Sequence, residues 1–214
     1  MLYAEITKNY GAIKVWGTSF DLGELHDLVH EAAKEGGVYD VETGNWLLGF
    51  AYEVRKAREE HRDIMEVRDF HDKKIPLYGF EIALPYWLIY IGVVRYGLSY
   101  DTISADQQSL LWKLQGLTLQ ALGDIIPTKK LEALITFSQG FSGQELAAII
   151  TPTHRATAYF LRQTKAKRLK ILPELMRALH PAFWTMDSVK PPELVTFWPT
   201  NEEEIEAIWL KHKF

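Results

Sequence analysis

Apolar and polar residues alternate from the start of the chain. Leu2, Ala4 and Ile6 are set against Tyr3, Glu5 and Thr7, and Ile13 and Val15 against Lys14 and Trp16. Period-two alternation predicts strands, and Lys8-Asn9-Tyr10-Gly11 between them, with Asn and Gly tolerant of positive φ, predicts a β-hairpin. The period then lengthens. Leu22, Leu25, Val29 and Ala32 recur at helical spacing behind Asp21, an N-cap acid with Glu24 at N3, and Gly36-Gly37 marks the stop. A second helix is expected from about Asn45 to Glu60, burying Leu47, Phe50, Ala51, Val54 and Ala57. Two strands, near 64–70 and 76–83, follow; Tyr78, Phe80 and Ile82 share one side of the second, so the pair extends the hairpin into a four-stranded antiparallel sheet.

From Pro85, a good first-turn residue, the pattern is helical to the end. One helix runs from Tyr86 to about Tyr96, stopped by Gly97, and another from the Ser104/Gln107 capping box to Ile126. These two should form the hydrophobic backbone of the fold. Shorter helices are expected at Thr128–Phe137, Ser142–Ile150 and Thr153–Ile171, and Pro173 opens another. Leu194 to Trp198 reads as a short strand. Thr200 and Glu203 cap a last helix that ends in Lys211-His212-Lys213, which suits its dipole. The fold class is α+β: a small N-terminal antiparallel sheet with two helices, packed on a larger, mainly helical C-terminal half. No linker or repeat divides the chain, so residues 1–214 are expected to form a single domain, with a subdomain cut near residue 100 as the alternative.

Composition narrows the function classes. The 214 residues are 47% apolar and 24% charged, within the range of globular proteins. Cysteine is absent, which removes disulfides, thiol catalysis, iron–sulfur clusters and thiolate zinc sites. The acidic opening Met1-Leu2-Tyr3-Ala4-Glu5 reads as mature protein rather than a signal peptide. The longest uncharged apolar stretch, Ile82 to Val94, has thirteen residues, where a bilayer-spanning helix needs ~20. A cytoplasmic protein with no membrane contact is the expectation. No cofactor is expected: the Gly-rich loops that cradle phosphates are missing, and Gly140-Phe-Ser142-Gly143 lacks the spacing of a nucleophile elbow. Ser142 reads instead as an N-cap completed by Glu145.

Three segments carry a likeness to a known family. In Ala51-Tyr52-Glu53-Val54-Arg55-Lys56-Ala57, Leu77-Tyr78-Gly79-Phe80-Glu81-Ile82-Ala83-Leu84-Pro85 and Lys167-Arg168-Leu169-Lys170-Ile171-Leu172-Pro173, behind a hairpin and an Asp-Leu-x-x-Leu helix, the order of segments resembles an uncharacterised bacterial domain-of-unknown-function family of about this length. The resemblance spans most of the chain. It implies a bacterial or phage origin and a cytoplasmic single-domain protein, and it implies no activity. Where the family has a histidine after the Tyr-Glu/Asp-x-Arg run, this chain has Lys56, which weakens a catalytic role for the segment.

Three clusters could carry chemistry. His26 and His30 are one helical turn apart on one face, as two imidazole ligands of a metal would be; the plainer reading is a pair of boundary histidines hydrogen-bonded at the sheet edge. Tyr52, Glu53 and Arg55 are the catalytic candidates. On a helix Glu53 and Arg55 project about 200° apart and cannot pair, whereas Tyr52–Arg55 and Arg55–Glu59 can. His61-Arg62-Asp63 and Asp69-Phe70-His71-Asp72, at opposite ends of one strand, read as solvated turns. Charge supplies a third cluster: residues 153–182 hold seven cations against Glu174 alone, a local +6 in a chain of net −4. Residues 144–180 therefore read loosely as a helix-turn-helix, with Thr153, His154, Arg155 and Thr157 at base edges and Arg162, Lys165, Lys167, Arg168 and Lys170 toward phosphates. The fit is imperfect, since the turn carries Pro152 rather than Gly, and two packed helices with a solvated basic face are the reading preferred over it. The seven tryptophans are scattered rather than interleaved with Arg or Lys, so most of them read as core or core-rim residues and none as part of a base-stacking platform.

The first functional expectation is a non-enzymatic binding or regulatory protein whose partner is another protein. Nucleic-acid binding through the basic segment and a metal-dependent enzyme using His26 and His30 are the alternatives, and a homo-oligomer is compatible with all three.

Overall fold

The structure is a computed structural model, and it describes residues 2–68, 71–138 and 143–212. Strands β1 (Tyr3–Ile6) and β2 (Ala12–Gly17) form the expected hairpin. Asn9 holds its turn, the side-chain carbonyl accepting the Gly11 amide at 2.9 Å, but the positive φ falls on Tyr10 at 58°. Strands β3 (Asp63–Arg68) and β4 (Lys74–Ala83) complete an antiparallel sheet of order β1-β2-β4-β3. Ile13 and Val15 of β2 lie opposite Ile82 and Phe80 of β4, and all four are buried under the helices. On the other face Trp16 lies directly over Gly79, where an added Cβ would come within 2.6 Å of the indole.

Helix α1 (Ser19–Ala32) is capped three residues earlier than expected, by a box between Thr18 and Asp21, and it ends before the Gly36-Gly37 pair. Helix α2 (Val41–Arg58) also begins early, because Asp40 accepts the Thr43 amide at 2.8 Å. Helix α3 (Leu84–Leu98) is the centre of the molecule and buried on nearly every side. Gly97 does not stop it. That glycine lies inside the helix because a Cβ there would meet the Ala32 carbonyl of α1 at 2.8 Å. Helix α4 (Ala105–Gly123) has the expected Ser104/Gln107 box, yet it is peripheral and leaves Trp112 54% exposed, an exception to the core or rim position expected of most tryptophans.

The C-terminal half departs further from expectation. Helix α5 (Thr128–Ser138) is followed by α6 (Gly143–Arg162), which runs unbroken through Pro152 where a turn was expected. Proline forfeits one backbone donor, and packing of the flanking apolar face, Ile149 to Ala158, holds the helix regardless. Pro173 likewise lies within α7 (Lys165–Ala178) instead of opening a helix. Helix α8 (Ala182–Thr185) and a 3-10 helix at Glu193–Phe197, replacing the expected strand, lead to α9 (Glu202–Lys211). Asn201, not Thr200, caps α9 by accepting the Glu203 amide at 2.8 Å. One contiguous cluster of buried residues runs from Leu2 to Ile208. No helix among the described residues is long and apolar enough to cross a membrane. The cap expected at Ser142, the turn residues Asp69 and Phe70, and Lys213 lie outside the described residues.

Candidate functional site

Among the described residues, a cleft of about 640 Å³ opens where α2, the end of β4, α3, α6 and α9 converge. Three pairs at helical spacing build it. Gly49 and Glu53 come from α2, Tyr86 and Tyr90 from the start of α3, and Trp209 and His212 from the end of α9. Residues three or four apart share a helix face, so each helix presents two side chains to one space. Arg62, Glu81, Ile82, Ala83 and His154 complete the lining.

An aromatic floor runs through α3. Tyr90 stacks on Phe50 with ring centroids 5.4 Å apart, and Tyr86 packs between Tyr90 and Trp209 at 5.5 Å from each. Burial pushes the Tyr86 hydroxyl pKa well above the usual range, with Tyr90 adding to it, and burial followed by the Glu53 charge raises Tyr90. Both phenols are therefore neutral. Burial also lowers His154, so its imidazole is neutral near pH 7. The Tyr86 hydroxyl is hydrogen-bonded to His154 Nδ1. Across the cleft Arg62 grips Glu53 through Nε at 2.9 Å and Nη2 at 3.2 Å, and this bond raises the Arg62 pKa. Glu81 faces Lys14 at 3.1 Å, and Lys14 also reaches Asp63. His212 is lowered by burial and by the neighbouring Arg168 and Lys211. The cleft is thus a polar-rimmed aromatic hollow in which Glu53 is held by Arg62 and Glu81 by Lys14.

The catalytic candidates separate. Glu53 enters the cleft, while Tyr52 and Arg55 face solvent on the other side of α2, with the guanidinium 5.4 Å from the Tyr52 ring and 3.6 Å from Glu59. Both pairings allowed by helix geometry form. Arg62 lies in the turn before β3 between exposed His61 and Asp63, but its side chain reaches back to α2 to bind Glu53. His26 and His30 do adjoin, with ring centroids 4.3 Å apart, and burial and then His26 lower the His30 pKa. Among the described residues no group of three or more metal-ligating side chains gathers, around this pair or elsewhere.

The basic segment is dispersed by the fold. Continuity of α6 removes the turn of a helix-turn-helix, and Thr153 and Thr157, assigned to base edges, are fully buried. His154 belongs to the cleft. Arg162 pairs with Glu204, and Lys165 lies 4.2 Å over the Tyr10 ring. Arg168, expected to hold phosphate, is 4% exposed and donates to three carbonyls, of Asn9, Phe160 and Leu161. Phe160 and Leu161 end α6, so the cation sits against the negative pole of that helix and ties it to the β1–β2 turn. Arg155 is half-buried; Lys167 and Lys170 remain on the surface.

Sequence reasoning missed Tyr86, Tyr90, Glu81, Trp209 and His212 as site residues. Helical spacing within each pair was visible; the convergence of three helices and a strand end was not. Compared with known proteins, the chain matches over residues 2–190 a family described as a domain of unknown function, DUF6904. No curated protein and no solved structure matches it.

Proposed function

The chain belongs to the DUF6904 family, and on that premise we propose that it is a non-enzymatic binding protein that receives part of another protein in the cleft between α2, β4, α3, α6 and α9. One observation carries this reading: an aromatic hollow of about 640 Å³ in which Glu53 is held by Arg62 and Tyr86 is hydrogen-bonded to His154. An aromatic surface with paired polar groups at its rim is the composition of a recognition pocket, since it offers apolar area together with fixed hydrogen-bonding direction. Catalysis calls for an acid, base or nucleophile held ready, and here Glu53 is clamped by Arg62 while the Tyr86 and His154 side chains satisfy each other.

Gly49 supplies the test. It sits on the cleft wall, with space for a Cβ 3.4 Å from the Tyr90 hydroxyl, so Gly49→Leu would project a side chain into the hollow. Leucine is the better helix former by close to ~1 kcal/mol, so loss of binding could not be ascribed to a weakened α2. Untagged protein purified from its own cells at low salt, measured by native mass spectrometry, is expected to hold a partner polypeptide that the Gly49→Leu protein lacks. Retention of the partner by the variant would refute the cleft as the site. A bound metal retained through purification would favour His26 and His30. Bound nucleic acid released by salt would favour the exposed lysines of α7.

A further inference from the structure

The geometry points to strand addition as the way the cleft holds its partner: an extended segment of the partner polypeptide lies along the free edge of β4, as the next strand of the sheet. This rests on the cleft being the binding site. Strand β3 begins at Asp63, opposite Gly79, whereas β4 continues to Ala83, so among the described residues Phe80 to Ala83 pair with β2 alone. The Leu84 amide donates to the Gly11 carbonyl, on the β2 side. In an antiparallel ladder this direction alternates, so Ile82 and Phe80 also face β2, and the amide and carbonyl of Glu81 and the amide of Ala83 point the other way. The cleft lies on that other side. Successive side chains of a strand point to opposite faces, so a hollow touching Glu81, Ile82 and Ala83 in turn must lie against the strand's edge. A second hollow of about 310 Å³, lined by Arg62, Asp63, Gly79, Phe80 and Glu81, carries the groove back toward the start of β3.

Natural sheets cover such an edge, twist it away or place charge on it. Here the Arg62–Glu53 ion pair lines the same hollow as Glu81, Ile82 and Ala83, so charge stands near this edge while the hollow keeps it open. The four residues from Phe80 to Ala83 span about 13 Å, enough for a segment of four or five residues. Its side chains must also alternate. One directed inward would meet Tyr86, Tyr90 and Trp209, which suits an aromatic or long aliphatic residue. At the other end Lys14 is shared between Asp63 and Glu81, leaving one net negative charge, which suits a lysine or arginine. The partner is thus an extended segment that places a basic residue near a large apolar one, held by main-chain hydrogen bonds in the manner of other edge-strand recognition.

The experiment is a selection on the immobilised full-length protein from a displayed library that samples every five-residue sequence, followed by hydrogen exchange read by NMR. The expected result is a family of basic-apolar peptides that slow exchange of the Glu81 and Ala83 amides at least tenfold. Glu81→Pro, which deletes an amide outside the β2–β4 ladder, should weaken peptide binding at least tenfold relative to Glu81→Ala. An empty selection would overturn strand addition, as would peptides that leave those two amides exchanging at the free rate. Peptides excluded by Gly49→Leu without protecting the amides would leave the cleft standing and remove strand addition. Peptides that bind the Gly49→Leu protein undiminished would remove both.

Discussion

Replacing Arg168 by methionine separates a structural role from the phosphate-binding role suggested by its place in a basic run. The guanidinium is 4% exposed and donates to the carbonyls of Phe160 at 3.3 Å, Asn9 at 2.8 Å, and Leu161. Hydrogen bonds from a charged donor are worth about 1.5–3 kcal/mol each, so three set an upper limit of roughly 4.5–9 kcal/mol. Against this stands relief from burying a cation, several kcal/mol. Burial lowers the Arg168 pKa. The net loss on forming Arg168→Met is expected to be about 2–4 kcal/mol, a large share of the ~5–15 kcal/mol that holds a typical domain. For a chain of this length that corresponds to a fall in melting temperature of roughly 4–16 °C. Urea unfolding followed by tryptophan fluorescence measures it, with the slope of the transition checked for constancy. A variant within about 0.5 kcal/mol of the parent would refute the reasoning, because three buried carbonyls cannot lose a charged donor so cheaply. At a temperature where the variant stays folded, its affinity for nucleic acid should equal the parent's. A selective loss of that affinity would restore the phosphate-binding role.

Gly79→Ala should destabilise the fold by about 1–3 kcal/mol, because its Cβ would fall 2.6 Å from the Trp16 ring, and the ring is held in place by Tyr3 and Glu5; an unchanged urea midpoint would contradict the packing described. Stability should also fall on acidification below the ordinary histidine value of 6.5, since burial lowers His154, His30 and His212. The sign follows from linkage: below that value the unfolded chain binds more protons than the folded one, so unfolding becomes easier as pH drops toward the depressed folded values. His154→Gln should flatten the urea midpoint between pH 7.5 and 5.5, and an unaltered pH dependence would remove His154 as a contributor.

Much of the fold was legible because its signals are local. Alternation located the four strands, helical spacing located α1 to α5, and the Ser104/Gln107 box was readable from two residues three apart. Caps at α1 and α2 were misplaced by a few residues: Asp21 serves as the N3 residue for Thr18 instead of capping, and Asp40 lies outside the apolar stripe that suggested Asn45. Pro152, Pro173 and Gly97 were read as breaks. A proline or glycine weakens a helix by a local amount that the apolar contacts around it can exceed, and those contacts come from residues distant in the chain.

By itself the sequence determined the α+β class, the order of most elements, the absence of thiol chemistry, the kinship with a family of unknown function, and the pairs Tyr52–Arg55 and Arg55–Glu59 on one helix. Tertiary structure alone decided the site. It turned Arg168 inward against the end of α6, brought Arg62 onto Glu53, and joined Gly49, Glu81, Tyr86, His154 and Trp209 around one hollow. Periodicity and capping act over three or four residues and can be read along the chain. Burial, charge pairing and an unpaired strand edge arise when elements up to 160 residues apart meet, as Gly49 and Trp209 do across the cleft, and that meeting is set by the packing of the whole core.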